Sequence, residues 1–426
     1  MADQTVASLF TQSIPAEEIQ VSPKDRQVLR RLAGKLAELA GRQVEQQKRD
    51  LWCRHNALEP TRPVIFCDPE NGWNEIILAE TIECEGQLAR SWEMHLRKEI
   101  FWAESMGDDK VVDAALHVRH VYSESDWGMH EKVFRVASHG SYRWDPPLES
   151  YDALDRLRFP IISVDHEATE KLVALARETF ADLLTVHLRT QWWWTLGMTW
   201  TLIKLRGLTQ VMLDMYDHPA ELHQLMAILR DGHLARLDFL EQNGLLSLNN
   251  DNTYVGSGGF GFTRELPQPD FAGRVRTMDM WGFCESQETV QVSPEMFEEF
   301  VFPYQMPILE RFGLNCYGCC EPLHSRWHVV KRFPRLRRVS VSPWADVQEM
   351  AEFLGADYIY SYKPTPADLA RPSIDEDRIR AELRSVLETT RPCRVEVIMK
   401  DNHTLSNKPR NATRWCRIAR EEAERL

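Results

Sequence analysis

The densest group of chemically capable side chains in the chain is Asn315-Cys316-Tyr317-Gly318-Cys319-Cys320-Glu321. Thiolates bind soft and borderline metals and attack electrophiles. Cys319, Cys320 and Cys316 are therefore candidate metal ligands or nucleophiles. The C-x-x-C-C spacing lets Cys316 share an ion with Cys319 or with Cys320, but a rigid strand does not bring all three to one point. The plain alternative is that one or two are small buried hydrophobes. There is no second C-x-x-C, which argues against a four-cysteine structural zinc site. His403, beside Asp401 and Asn402, offers a nitrogen that would complete a Cys/His set with an open position; it would otherwise be a general acid or a hydrogen-bonded loop histidine. Glu321 can ligate a metal, orient a ligand from behind or act as a catalytic group, or it merely caps the segment.

Two further groups carry carboxylates and amides. Asn249, Asp251 and Asn252 form one, and Glu285, Gln287 and Glu288 form the other. Buried acids whose pKa has shifted perform proton transfer, so Asp251 and Glu288 are candidate acid–base groups; a solvated acidic rim is the competing description. Asn249, Trp344 and Lys363 are candidates for holding a cofactor or substrate. Trp344 can shield a pocket between Ser342 and Asp346, and Lys363 can meet a carboxylate or phosphate unless it is a surface lysine. Trp192, Trp193 and Trp194 cannot all face inward, so one or two belong to a pocket wall or subunit interface. The glycine-rich stretch 256–261 lacks the Lys-Ser/Thr of a phosphate-binding loop and is expected to be a mobile loop closing over the pocket.

These residues fall at the ends of short apolar runs. Strands are expected at 64–66, 186–190, 245–249, 278–283, 314–317, 336–341, 358–361 and 393–399, separated by helices with apolar residues at helical spacing. Ser293 before Pro294, with Glu295 and Glu298 following, marks a helix start. Short strands alternating with helices call for a parallel sheet covered on both faces. No Gly-x-Gly-x-x-Gly opens an early βαβ unit, and polar residues follow several strands directly. That pattern predicts an α/β fold, a (β/α)8 TIM barrel with its chemistry at the C-terminal ends of the strands. Residues 1–60 are expected as an N-terminal helical extension, 61–426 as the barrel, and 108–158 as an insertion or lid.

The 426 residues carry a formal charge of -13, with 43% hydrophobic and 27% charged residues. This describes a globular chain without the basic footprint of a nucleic-acid binder. No apolar run reaches the roughly 20 residues of a membrane span, and the first residues lack a signal-peptide pattern. Nine cysteines, odd in number and unevenly spaced, fit thiols in a reducing compartment better than a disulfide framework. A cytoplasmic location is the expectation.

The run Ile203-Lys204-Leu205-Arg206-Gly207 to Met212-Leu213-Asp214-Met215-Tyr216-Asp217-His218-Pro219, followed by Ser293-Pro294-Glu295-Met296-Phe297 through Pro303-Tyr304, resembles the uroporphyrinogen decarboxylase superfamily. That superfamily includes zinc-dependent methyltransferases that work with corrinoid proteins. The resemblance covers about residues 160–426. It implies a (β/α)8 barrel with its site at the C-terminal face, and dimers are common among the decarboxylases. It is nearer the methyltransferase branch, because Arg62-Pro63-Val64-Ile65-Phe66-Cys67-Asp68-Pro69 lacks the arginine-rich loop of the tetrapyrrole decarboxylases. It departs from the methyltransferases too. Tyr317-Gly318-Cys319-Cys320-Glu321 stands where they have His-x-Cys, and His403 stands where they have a further Cys. What it implies is methyl transfer between a small methylated molecule or thiol and a corrinoid on a partner protein, with Zn2+ activating the substrate. The chain itself has no Asp-x-His-x-x-Gly segment to bind cobalamin. The competing readings are a decarboxylase or lyase on a non-tetrapyrrole acid, and a partner-binding barrel without activity.

Overall fold

A computed structural model describes residues 14–135 and 142–426. Its centre is a six-stranded parallel sheet in the order β1-β12-β11-β10-β9-β8. The strands are β1 (Val64–Cys67), β8 (Trp281–Cys284), β9 (Leu314–Tyr317), β10 (Leu336–Val341), β11 (Ile359–Tyr362) and β12 (Arg394–Met399). In β1, β8, β9 and β11 every residue is buried, as a parallel sheet packed on both faces requires. Helices cover the outer face. Several are stopped and started as their sequences suggest: the Ser293 hydroxyl accepts from the Met296 N–H and Pro294 opens the helix, while Asp346 and Asp375 cap the helices Val347–Leu354 and Glu376–Thr389.

Two more parallel strands, β2 (Ala115–Val118) and β7 (Thr185–Leu188), pair with each other. Between them in sequence lie β3 (Val121–Glu124), which pairs antiparallel with β6 (Ile162–Asp165), and a hairpin of β4 (Lys132–Arg135) and β5 (Tyr142–Asp145). Within 108–158, β2 pairs in parallel with β7 in a two-stranded sheet separate from the six-stranded one, and β3, β4 and β5 form antiparallel pairs.

Two other expectations change. Residues 245–249 form no strand. The side-chain amide of Asn249 takes the ladder's place, accepting from the Trp281 N–H at 2.9 Å and donating to the Trp281 carbonyl at 3.0 Å. The glycine-rich stretch 256–261 does not lie over a pocket mouth: every residue in it is buried. It packs on the inner face of the sheet, where a Cβ on Gly258 would stand 2.5 Å from Ile398 and one on Gly259 2.9 Å from the Glu396 carboxylate. Both glycines also have positive φ, 139° and 87°, which side chains with a Cβ rarely adopt.

The N-terminal helices Pro23–Ala40 and Gln43–Asn56 are likewise built into the body. Trp52 Nε1 donates to the Asp109 carbonyl at 2.8 Å, and Asn56 Nδ2 donates to the carbonyls of Phe260 and Phe262, both at 2.8 Å. The second helix therefore holds the buried glycine-rich loop from below.

Candidate functional site

The polar side chains gather where the strands of the six-stranded sheet end. After β9 the backbone turns at Gly318, and the carboxylate of Glu321 folds back to accept the Cys319 N–H at 2.9 Å. Its other oxygen accepts the Ser286 N–H at 2.8 Å, from the turn after β8. Glu321 thus ties two strand ends together. This fixes the two adjacent thiols, whose sulfurs lie 3.7 Å apart. Cys319 is buried and accepts a hydrogen bond from Ser257 Oγ at 3.2 Å; Cys320 is half-buried.

The electrostatics divide the pair. Cys319 donates to Cys320, which holds the Cys319 thiol well above its ordinary value, and burial adds to that. The same bond lowers the Cys320 thiol. Lys400 adds to the lowering, while burial, Asp401 and Glu321 oppose it. Burial also works against the charge of Lys400, but Tyr254, Cys319, Asp401 and Glu70 outweigh it and keep the ammonium firmly protonated.

Around the thiols stand carboxyls whose pKa values are raised. Burial pushes Glu285 well above the usual range, and the neighbouring Glu288 and Glu321 add to the shift. Glu288 and Glu321 are raised by burial as well, against the Thr199 hydroxyl (2.6 Å) on the first and backbone N–H groups on the second. Glu70, after β1, is pushed up to about 7 by burial and by Asp68. Glu70 and Asp401 both sit at positive φ, 47° and 61°, a strained backbone of the kind that persists where surroundings over-determine it. Three buried polar atoms on these strand ends have no protein partner: Glu285 Oε1, Ser342 Oγ and Asn402 Oδ1.

Beneath the cluster a buried chain of hydrogen bonds runs down the inner face. Lys363 Nζ donates to Ser361 Oγ at 2.6 Å, and Ser361 Oγ donates to Glu396 Oε1 at 2.5 Å. Arg338 pairs with the same carboxylate at 3.0 Å, and His55 Nε2 meets its other oxygen at 3.2 Å. Burial alone would raise Glu396; Arg338, His55 and Lys363 together outweigh it and the carboxyl falls to about 2. His55 is held neutral by burial, so the Nε2 facing the carboxylate carries its proton. Lys363 is brought down to about 8 by burial, with Lys400 and Arg338 adding to the shift.

The structure brings Cys319, Cys320, Glu321, Glu288 and Lys363 to the strand ends of one sheet. The other candidates from the sequence lie elsewhere. Cys316 is buried on β9, its sulfur 3.7 Å from the Arg338 guanidinium and packed against Gly256. Asp251 is spent on Arg189, whose two terminal nitrogens it meets at 2.9 and 2.7 Å, in a cavity of about 250 Å³ shared with His117 and His187. Asn249 clamps Trp281. Trp344 is 69% exposed. His403 is exposed, on the loop after β12. Trp192 is buried, with its indole N–H on the Leu245 carbonyl, and Trp194 faces Lys400 at 5.9 Å from an aromatic recess that also holds Tyr254, Trp281 and Phe283.

Zinc fits these residues poorly. Among the described residues no three of His, Cys, Asp and Glu converge to hold a metal ion. Cys319 and Cys320 offer two sulfurs, and the exposed His403 does not join them, so no step below runs through zinc.

Sequence reasoning missed Lys400, Glu70 and the Arg338–Glu396–His55 group. Two of these had a visible signal. Arg338 and Glu396 are charged residues inside the strands LRRVSV and RVEVIM, and a charge in a strand buried on both faces needs a buried partner.

Fold and site together define an α/β protein with an acid–thiol–lysine cluster at the C-terminal edge of a parallel sheet. No protein-family model matches the chain, and no curated protein matches it. Among solved structures, one similar chain is a methyltransferase from Methanosarcina mazei. It is 12% identical, aligned over 88% of this chain and 97% of that one, with a TM-score of 0.45. At that score the likeness carries no weight for fold or activity. No helix among the described residues is long and apolar enough to cross a membrane.

Proposed function

We propose that the chain is a methyltransferase built on a (β/α)8 barrel of the uroporphyrinogen decarboxylase kind. In this reading β2 and β7 complete the sheet between β1 and β8. Two backbone bonds support the closure: Asp109 N–H, just before β2, to the Ile65 carbonyl of β1 at 2.8 Å, and Leu196 N–H, beyond β7, to the Phe283 carbonyl of β8 at 3.0 Å. The cluster then lies at the barrel's C-terminal face, where such folds place their chemistry.

The observation that carries the reaction is the set of buried carboxyls with raised pKa values beside a half-exposed thiol. A methyl group leaves a heteroatom most easily when that atom is protonated as the bond breaks, which needs an acid that keeps its proton near neutral pH. Glu285 and Glu288 are placed for that task, with Glu70 titrating near 7 as the group that restores the proton. The methylated substrate would rest in the aromatic recess beside Trp194, against Tyr254, Trp281 and Phe283. A corrinoid on a partner protein, as the sequence resemblance implies, would supply the nucleophile for the methyl group. This chain's part is to bind and orient the substrate and deliver the proton.

A second reading, decarboxylation of a small acid, draws on Lys400 and Lys363, two buried ammonium groups able to receive a carboxylate. One assay separates the two. The protein is incubated with reduced free cobalamin and panels of methyl ethers, methylamines and methyl thioethers, while the visible spectrum is followed. Methylation of cobalamin by one panel, reduced at least tenfold in Glu288→Gln, is expected. No methylation by any panel, with release of CO2 from a carboxylic acid, would replace the first reading by the second.

A further inference from the structure

We infer that Cys319 and Cys320 form a reversible redox pair that closes into a disulfide between adjacent residues when a hydroperoxide reaches the site. The inference rests on the placement of the two sulfurs and does not depend on the reaction proposed above.

The sulfurs are 3.7 Å apart, already in contact, and a bond needs them at about 2.05 Å. Only side-chain rotation and a small backbone adjustment separate the two states. Access is unequal in a useful way. Cys320 is half-exposed, so an oxidant can reach it; Cys319 is buried behind it and held by Ser257 Oγ at 3.2 Å. An accessible sulfur with a shielded neighbour is the arrangement of an attacking and a resolving cysteine. Of the other seven cysteines, Cys67, Cys84, Cys284, Cys316, Cys393 and Cys416 are buried, Cys67 and Cys416 against each other, and Cys53 is half-buried.

The chemistry balances with a hydroperoxide as the oxidant. The Cys320 sulfur attacks the outer oxygen of ROOH and the O–O bond breaks. RO⁻ leaves and takes up the proton Cys320 lost, giving ROH and a Cys320 sulfenic acid. The Cys319 sulfur then attacks the Cys320 sulfur, the S–O bond breaks, and hydroxide leaves with the proton from Cys319 as water. Two thiols and ROOH become one disulfide, ROH and H2O. The product is strained, because adjacent Cα atoms are about 3.8 Å apart whereas disulfides span about 4.4–6.8 Å. Strained disulfides are readily reduced, so a cellular dithiol would restore the pair. Oxidation would also break the Ser257 contact and pull on the Cys319 N–H that anchors Glu321, coupling the redox state to the acid cluster.

The test is intact-mass analysis of the full chain after brief treatment with a small excess of hydrogen peroxide, followed by alkylation under denaturing conditions and peptide mapping. The expected product has lost two hydrogen atoms, carries no label on Cys319 or Cys320, keeps its label on Cys316, and returns to the starting mass with dithiothreitol. Cys319→Ser, lacking the resolving sulfur, should stop with one added oxygen on Cys320. Two results would overturn the inference. One is wild-type protein that gains two or three oxygens on Cys320 while Cys319 still takes label. The other is a pair that resists both peroxide and label until a chelator strips a bound metal. The wild-type measurement decides by itself if the variant does not fold.

Discussion

At the scale of single residues, the two thiols and Glu70 make separable predictions. The bond from Cys319 is the largest influence lowering the Cys320 thiol. Cys319→Ala should therefore raise the midpoint of the pH profile for Cys320 alkylation, slowing labelling at pH 7 severalfold; an unmoved midpoint would assign the lowering to Lys400 instead. Glu70 tests the acid cluster through stability. Its pKa rises from an ordinary value near 4.5 to about 7 in the folded protein, so the folded state binds more protons than the unfolded one between those values. Stability must fall as pH climbs through that window. Glu70→Gln, which cannot ionise, should gain on the wild type by about 2–3 kcal/mol at pH 8 relative to pH 4.5, read from denaturant midpoints at the two pH values. Equal pH dependence in both proteins would mean that Glu70 ionises as freely folded as unfolded. These residues also mark how far the sequence could be read. Cys319, Cys320, Glu321, Glu288 and Lys363 were identifiable because each follows an apolar run by one to five positions. Lys400 follows one as well, but Asp401 and His403 beside it look the more reactive. His403 illustrates the opposite failure: its type and position suit a ligand, and only the course of the loop turns it outward.

At the scale of elements, the sheet and its helices were legible and the interior was not. Alternation of apolar runs and amphipathic segments placed all six strands of the main sheet to within a few residues. The run 245–249 is as apolar as a strand, yet it joins β8 through the Asn249 side chain. Asn249→Ala should leave the N–H and carbonyl of Trp281 unpaired in the interior and cost about 2–4 kcal/mol in chemical denaturation; a loss under 0.5 kcal/mol would mean that backbone or water replaces the amide without effort. The loop 256–261 was misread for a related reason. Glycine signals freedom in an isolated chain, but the same lack of a Cβ lets backbone lie flat against β9, β10 and β12. Local sequence does not distinguish a hinge from a filler. The difference lies in Ile398, Glu396 and Arg338, far along the chain from the glycines they meet.

At the scale of the whole molecule, the question is what else the protein holds. Elemental analysis of protein purified without chelator should give well under one zinc per chain, because only two sulfurs converge at the site. A full equivalent that disappears in both Cys319→Ala and Cys320→Ala would place a metal on the pair, its further ligands brought in from outside the described residues or by movement of the His403 loop. We also propose a homodimer, checked by light scattering during gel filtration. Leu213 and Tyr216, 49% and 74% exposed on the helix Leu208–Asp217, are a natural place to look for its contact.

The strand order has a consequence for how the protein is made. β12, which follows every other described strand in the chain, lies between β1 and β11 and is the direct hydrogen-bonded neighbour of β1. β1 must therefore wait until β12 has been made before that edge is covered. Through that interval Val64, Ile65 and Phe66 present an unpaired apolar edge, the kind that seeks other partners. Translation stopped before residue 394 would leave Glu396 absent and Arg338 and His55 without their shared carboxylate. Such a product should be handed to chaperones or aggregate, and it should not persist as a smaller folded domain.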